Sequence, residues 1–435
     1  MRTRIVALVL GGALVAGATA AALSSGNAAP RGRNERASPA APTTTAAALP
    51  TEAPARQRTP TDAGPDTESV SAADAEPATE GTLLIWGRGD LTRDFADAVA
   101  ALPQVTAVAH VRSTTLGLVG SRTAAGAAGD VLGDGFQIPV SVAAIEPSAY
   151  AATLPPGVAR DAVVALAPGQ VLLSETGARL RGIGVVGHVD LAALPGLEVI
   201  GVIADDSVGR SEIVLHAADG TAAGLPHDGT VFLRHDAAPG ADTVALTRQI
   251  EALVPADVTA RIVDVAAGEP RRRAPLVLSL AQVKDRFGEF AFRPRPGARE
   301  IDVDPAFPAD HIVTVEVPIL GSVTCHEGIV DDLRGALQEV VAAGLAADID
   351  PGRYAGCYYP RRISTSSARL SHHSWGIALD INVDLSHPDL GPPPQPGIIA
   401  AFEAHGFRWG GDFLQPDNHH FEWVGDLTES PSTEP

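Results

Sequence analysis

The sequence predicts an α+β chain, two folded regions behind a polar tether, and three observations carry the prediction. A Pro-, Ala- and Thr-rich opening gives way at Gly81 to apolar, β-branched runs bounded by turns. Segments with helical spacing are set among those runs. The chain is 435 residues long, more than one ordinary small core holds.

The first element reads as a targeting segment, residues 1–29. Arg2 and Arg4 precede an uncharged apolar run over 5–23, and small residues follow at 18–20 and 26–28. That is the pattern of an export signal. The run is also about 20 residues long, enough to span a bilayer. A cleaved signal peptide and an uncleaved N-terminal membrane anchor both fit. Either way the rest of the chain is expected outside the cytoplasm, secreted or held at the cell envelope. Residues 30–80 have almost no large apolar side chain and no helical or strand period. Such a segment buries too little surface to fold and reads as a disordered linker.

Residues 81–268 form the first folded region. Strands are expected at 82–86, 105–111, 136–142, 170–173, 197–204, 213–216 and 231–234, with helices over 90–102 and 241–254 and a closing strand at 258–265. Its histidines, His110, His188, His216, His227 and His235, do not cluster at ligand spacing. Residues 150–190 resemble extracellular domains of bacterial ABC-type permeases, which implies a spacer or interaction role without catalytic residues.

An Arg-rich stretch, 269–273, reads as a connection to a second region over 278–426, followed by a disordered tail, 427–435. A short helix is expected at 282–290 and a strand at 313–319. Residues 328–343 have the spacing of an amphipathic helix, with Ile329, Leu333, Leu337 and Val341 on one face.

The formal charge is -20 with no basic stripe, so nucleic acid is excluded as a partner. The same charge gives no electrostatic reason to lie on an anionic membrane and reads as solubility. Cys325 and Cys357 are the two cysteines, and in an oxidising compartment they are most simply a disulfide. Closing that loop contributes about 3 kcal/mol in the chain-entropy model.

Six of the thirteen histidines fall between His372 and His420. The first group runs from Ser371 through His372, His373, Trp375 and Gly376 to Asp380. If residues 376–384 are a strand, Ala378, Asp380 and Asn382 share a face, with His373 on the loop leading in. The second group runs from Asp417 to Trp423. As a strand it puts His420 and Glu422 on one face and Phe421 and Trp423 on the other. His373, Asp380 and His420 are then suited to one zinc ion. Two histidines and a carboxylate leave its fourth position open, which marks a catalytic and not a structural site. Asp417, on the turn before the strand, is placed as a proton acceptor. Strand alternation would turn His372 and His419 away, to outer or surface positions. Glu422 either orients His420 or caps the strand.

Ser371, His373, Gly376, Ala378 and Asp380 match the pattern S-x-H-x-x-G-x-A-x-D. Residues 409–412 and 417–422 match W-G-G-D and D-x-x-H-F-E. Together they resemble the M15 zinc peptidases, over about 278–426. The resemblance implies a hedgehog/DD-peptidase-like zinc domain, Zn2+ held by His373, Asp380 and His420, and Asp417 as general base. It also implies an arginine that steadies the polarised carbonyl, with Arg361 in better register than Arg362. The implied substrate is a peptidoglycan stem peptide, cut as by a D-alanyl-D-alanine carboxypeptidase. Aspartate at 417 is closer to the L-alanyl-D-glutamate endopeptidase branch. A zinc-containing wall-binding module without catalysis is the other class that the fold admits.

Overall fold

The computed structural model describes residues 81–88, 91–208, 211–226, 229–237, 241–264, 278–364, 366, 368–384, 391–413 and 415–425. The expected targeting segment, linker, Arg-rich connection and tail lie outside the described residues, as do His227 and His387. Among the described residues no helix is long and apolar enough to cross a membrane.

The first region is built on ten strands. These are β1 (Gly81–Arg88), β2 (Val105–Arg122), β3 (Ala128–Val131), β4 (Ile138–Ile145), β5 (Gln170–Ser174), β6 (His188–Leu191), β7 (Leu194–Ile203), β8 (Ile213–His216), β9 (Gly229–His235) and β10 (Thr259–Asp264). They pair in the order β10-β1-β9-β2-β4-β8-β5-β7-β6, with β3 added to β2. β6 also pairs with β2, so β2, β4, β8, β5, β7 and β6 form a closed ring of pairings. Closure gives those strands partners on both edges. Leu118, Val140, Val171, Leu173, Val189 and Val199 belong to the core cluster inside it.

The expected strand over 105–111 is only the opening of an 18-residue β2. Its neighbour changes along its length, from β9 up to Arg112, to β4 over the middle, and to β6 from Leu118. Arg112 is a charge that would ordinarily end a buried strand. It is buried here because its guanidinium donates to Ala217 O at 2.8 Å and to Thr221 Oγ1 at 2.9 Å.

The second region has its own core around the helix Val330–Ala342. Two hairpins flank it, β11 (Phe292–Pro294) with β12 (Ile301–Val303), and β13 (Ile312–Val317) with β14 (Gly321–His326). A three-stranded sheet of β15 (Ala378–Asp380), β16 (Phe407–Trp409) and β17 (His420–Trp423) has β17 in the middle. The helix buries Val330, Leu333, Ala336, Leu337 and Val340, while Val341 is exposed. That corrects the expected face. Steps of four residues drift about 40° each, so a third step from Ile329 leaves the buried side and Val340 replaces Val341.

Two kinds of contact join the regions. Gln137 and Phe292 exchange both backbone hydrogen bonds, at 2.9 and 2.8 Å, and Ala291 packs on the core of the closed ring. The helix Leu280–Phe287 begins with a reciprocal cap between Ser279 and Gln282 and carries Lys284 into a buried set of charges. Lys284 Nζ lies 2.8 Å from Glu289, contacts Glu212, and donates to Pro139 O at 2.9 Å.

Cys325 on β14 and Cys357 form the expected disulfide, with their Cα atoms 5.2 Å apart. Replacing both cysteines with alanine should lower unfolding stability by about 3 kcal/mol. Denaturant titration of the oxidised wild type against the double variant measures this, and equal midpoints would show the bond to be structurally idle.

Candidate metal centre

β15 and β17 run antiparallel, and Asp380 sits directly opposite His420 in the register. Both carboxylate oxygens of Asp380 are engaged. Oδ1 is 2.9 Å from His420 Nδ1, and Oδ2 is 3.2 Å from His373 Nε2. One ligand atom from each of His373, Asp380 and His420 lies within 4.8 Å of the others. Period-two alternation puts Phe421 and Trp423 on the buried side of β17, as the sequence indicates.

The first motif departs from the expected long strand. β15 spans only Ala378–Asp380, and His372–Ser374 form a 3-10 turn that starts on Ser371. Ser371 Oγ accepts from the His373 amide at 3.4 Å, the structural role that its place before the turn suggests. Gly376 has φ +69°, and a Cβ there would come within 2.8 Å of the His326 backbone nitrogen. The motif glycine is thus a point where the turn folds tightly against β14. Asn382 also has positive φ, 54°, so it leaves the face it was expected to share with Asp380.

Each histidine of the cluster has a polar partner behind its ring. His373 Nδ1 lies 2.9 Å from the carbonyl of Cys357, a hydrogen bond that only a protonated Nδ1 can make. In the neutral ring the lone pair is then on Nε2. That atom is buried, close to Asp380 but without a hydrogen-bond partner. A buried, unpartnered imidazole nitrogen facing a carboxylate is the donor chemistry that zinc requires, so these residues fit the ion. His420 Nε2 lies 3.2 Å from Glu422 Oε2, which decides between the two expected roles of Glu422: it orients His420.

Burial pushes the Asp380 carboxyl up, but His373 and His420 outweigh it and hold it well below the usual range. For His420, burial pulls down while Asp380 and Glu422 push up more strongly, to about 10. Asp417 moves the other way. Burial raises its carboxyl, His420 lowers it, and the like charge of Asp380 raises it again.

Arg361 reaches this centre, with Nη2 at 3.6 Å from Asp380 Oδ2, whereas Arg362 donates to Ala298 O at 3.2 Å. Of the two arginines, only Arg361 lies against the cluster. The Asp417 amide donates to Gly410 O at 2.9 Å, and its Oδ1 accepts from the His419 amide at 3.3 Å. A Cβ on Gly410 would meet Asp417 O at 2.6 Å, so the W-G-G-D loop presses directly on the turn that carries Asp417.

Neither His372 nor His419 offers an atom to the converging set, as expected. His372 is on the 3-10 turn and packs onto Glu422, with Nδ1 at 3.1 Å from Oε2. His419 is buried, with Gly391 passing over its ring. The Cys357 carbonyl has no signal in the sequence, because its role depends on the disulfide bringing a distant turn behind His373.

Residues 364–423 match a family model of the M15 peptidases described as D-alanyl-D-alanine carboxypeptidase. The match includes His373, Asp380, Asp417 and His420 and begins three residues after Arg361. No curated protein matches the chain. Among solved structures, the periplasmic region of MacB from Actinobacillus actinomycetemcomitans is 13% identical, with a TM-score of 0.29, over 41% of this chain and 87% of that one. The extracellular domain of the noncanonic ABC-type transporter YknZ from Gram-positive bacteria is 15% identical, with a TM-score of 0.26, over 39% and 93%. Those scores carry no argument about fold or role. The segment that gathers the His–Asp–His cluster is similar, at the level of the family, to an M15-type peptidase.

Proposed function

We propose that this chain is an exported zinc metallopeptidase that hydrolyses peptidoglycan stem peptides, in the manner of a D-alanyl-D-alanine carboxypeptidase. The observation that carries the reading is the convergence of His373, Asp380 and His420 within 4.8 Å, inside the segment similar to M15 peptidases. His373 Nε2, an Asp380 oxygen and His420 Nδ1 would hold zinc. When bound, zinc supplies an activated water at neutral pH and polarises the scissile carbonyl. Arg361, beside Asp380, offers a fixed positive charge to the oxygen that becomes negative. Asp417 takes the proton of the attacking water and delivers it to the leaving amine. The charged start and apolar run of the N-terminal segment support a location at the cell envelope, secreted or membrane-anchored, with wall peptide as the partner.

Mass spectrometry of muropeptides incubated with the purified full-length chain tests the reading. Loss of terminal D-Ala is expected, abolished by a chelator and restored by zinc. Release of a fragment cut after L-Ala would move the assignment to an endopeptidase. Zinc binding without cleavage of any muropeptide would leave a wall-binding module.

A further inference from the structure

His420 can hold a metal through Nδ1 only as the tautomer whose hydrogen is on Nε2. The acceptor for that hydrogen is Glu422 Oε2, at 3.2 Å. β17 forces the pairing, because residues two apart on a strand share a face. Glu422 is itself only 5% exposed, and a buried carboxylate needs compensation beyond one neutral donor. The compensation comes from His372, whose Nδ1 is 3.1 Å from the same oxygen. Neither Glu422 Oε1 nor His372 Nδ1 has an aligned hydrogen-bond partner among the described residues, so His372 meets Oε2 as a close polar contact beside the His420 hydrogen bond. A side chain from the first motif thus reaches across the sheet to the second, behind the metal centre.

We infer that His372 is a positioning residue: it locks the Glu422 carboxylate, which in turn fixes the tautomer and ring direction of His420. The inference rests on the zinc reading above. His372 does not touch the metal position. It belongs to the same 3-10 turn as His373, so one turn supplies a ligand to the metal and a brace to the ligand on the other motif. A turn that shifted would disturb both histidine ligands together.

The test is zinc affinity, read by competition with a chromogenic chelator on the full-length chain. His372→Phe keeps the ring volume and removes the donor, and should weaken zinc binding about 10- to 100-fold. His372→Asn returns an N–H near the position of Nδ1 and should recover most of that loss. In a Glu422→Gln background, His372→Phe should add little, since the brace has nothing left to hold. Circular dichroism of the metal-free variants checks folding, and if His372→Phe does not fold, the Asn variant with and without Glu422→Gln gives the same comparison. Wild-type affinity in His372→Phe, equal losses in the Phe and Asn variants, or additive effects with Glu422→Gln would each overturn the inference. A wild-type chain that binds no zinc would instead remove the metal reading beneath it.

Discussion

Asp417→Asn should abolish hydrolysis while the protein still binds one zinc ion. The substitution is nearly isosteric, and the backbone contacts of residue 417 survive it. The amide to Gly410 O remains, and the side-chain oxygen that accepts from the His419 amide is retained by asparagine. What is lost is the ability to accept a proton. The environment already favours that ability, because burial and the charge of Asp380 raise this carboxyl above the ordinary aspartate range. A carboxylate that gains basicity while standing outside the ligand set is suited to general-base work. The expected fall in kcat is about 10²- to 10⁴-fold. Zinc content by atomic absorption should stay at the wild-type level, since Asp417 is not in the converging set. Full activity in the variant would remove Asp417 as the base. Loss of zinc together with activity would make it a ligand instead.

The convergence of His373, Asp380 and His420 could be read from sequence because these residue types stand at short, fixed spacings. His373 and Asp380 are seven apart, Asp417 and His420 three apart, and local turns settle most of the geometry within each group. The pairing of the groups was legible too, since Phe421 and Trp423 mark the core side of β17 and so put His420 and Glu422 on its other face, toward Asp380. What could not be read depends on contacts between distant segments. Gly376 looked like the start of a strand, but close approach to β14 makes it a left-handed turn residue and shortens β15 to three residues. His372 stays out of the converging set, but it does so on a 3-10 turn and not a strand, and its contact with Glu422 has no local signal. The length of β2 was hidden by Arg112, whose charge is satisfied by Ala217 and Thr221, over a hundred positions later. Ring closure from β2 to β6 is likewise a long-range register that no local period records.

The buried charges between the two regions were the least legible feature, and they carry the largest expected effect on stability. Lys284 is the only lysine in the sequence, on a short helix where a solvent-facing position would be the ordinary expectation. It is 1% exposed, as is Glu212, which also accepts from the Ser141 amide at 3.0 Å and hydroxyl at 3.2 Å. Glu289 is shared with Arg181, which also pairs with Asp130 at 3.0 Å. Lys284→Met preserves much of the stem's volume but leaves Glu212 as a buried carboxylate without its cation. Breaking a buried pair from one side costs about 3–5 kcal/mol, whereas removing both partners is far less damaging. Lys284→Met should therefore lower stability by that amount, and adding Glu212→Gln should recover most of it. Denaturant unfolding of the three proteins measures the cycle. The lone lysine also reports on the junction directly. An amine-reactive reagent should leave Lys284 untouched in the folded wild type until the junction opens. Rapid labelling of Lys284 under native conditions would show that the zinc-site region separates freely from the ten-stranded region. Slow labelling that tracks global unfolding would show that the two regions come apart only when the whole chain does.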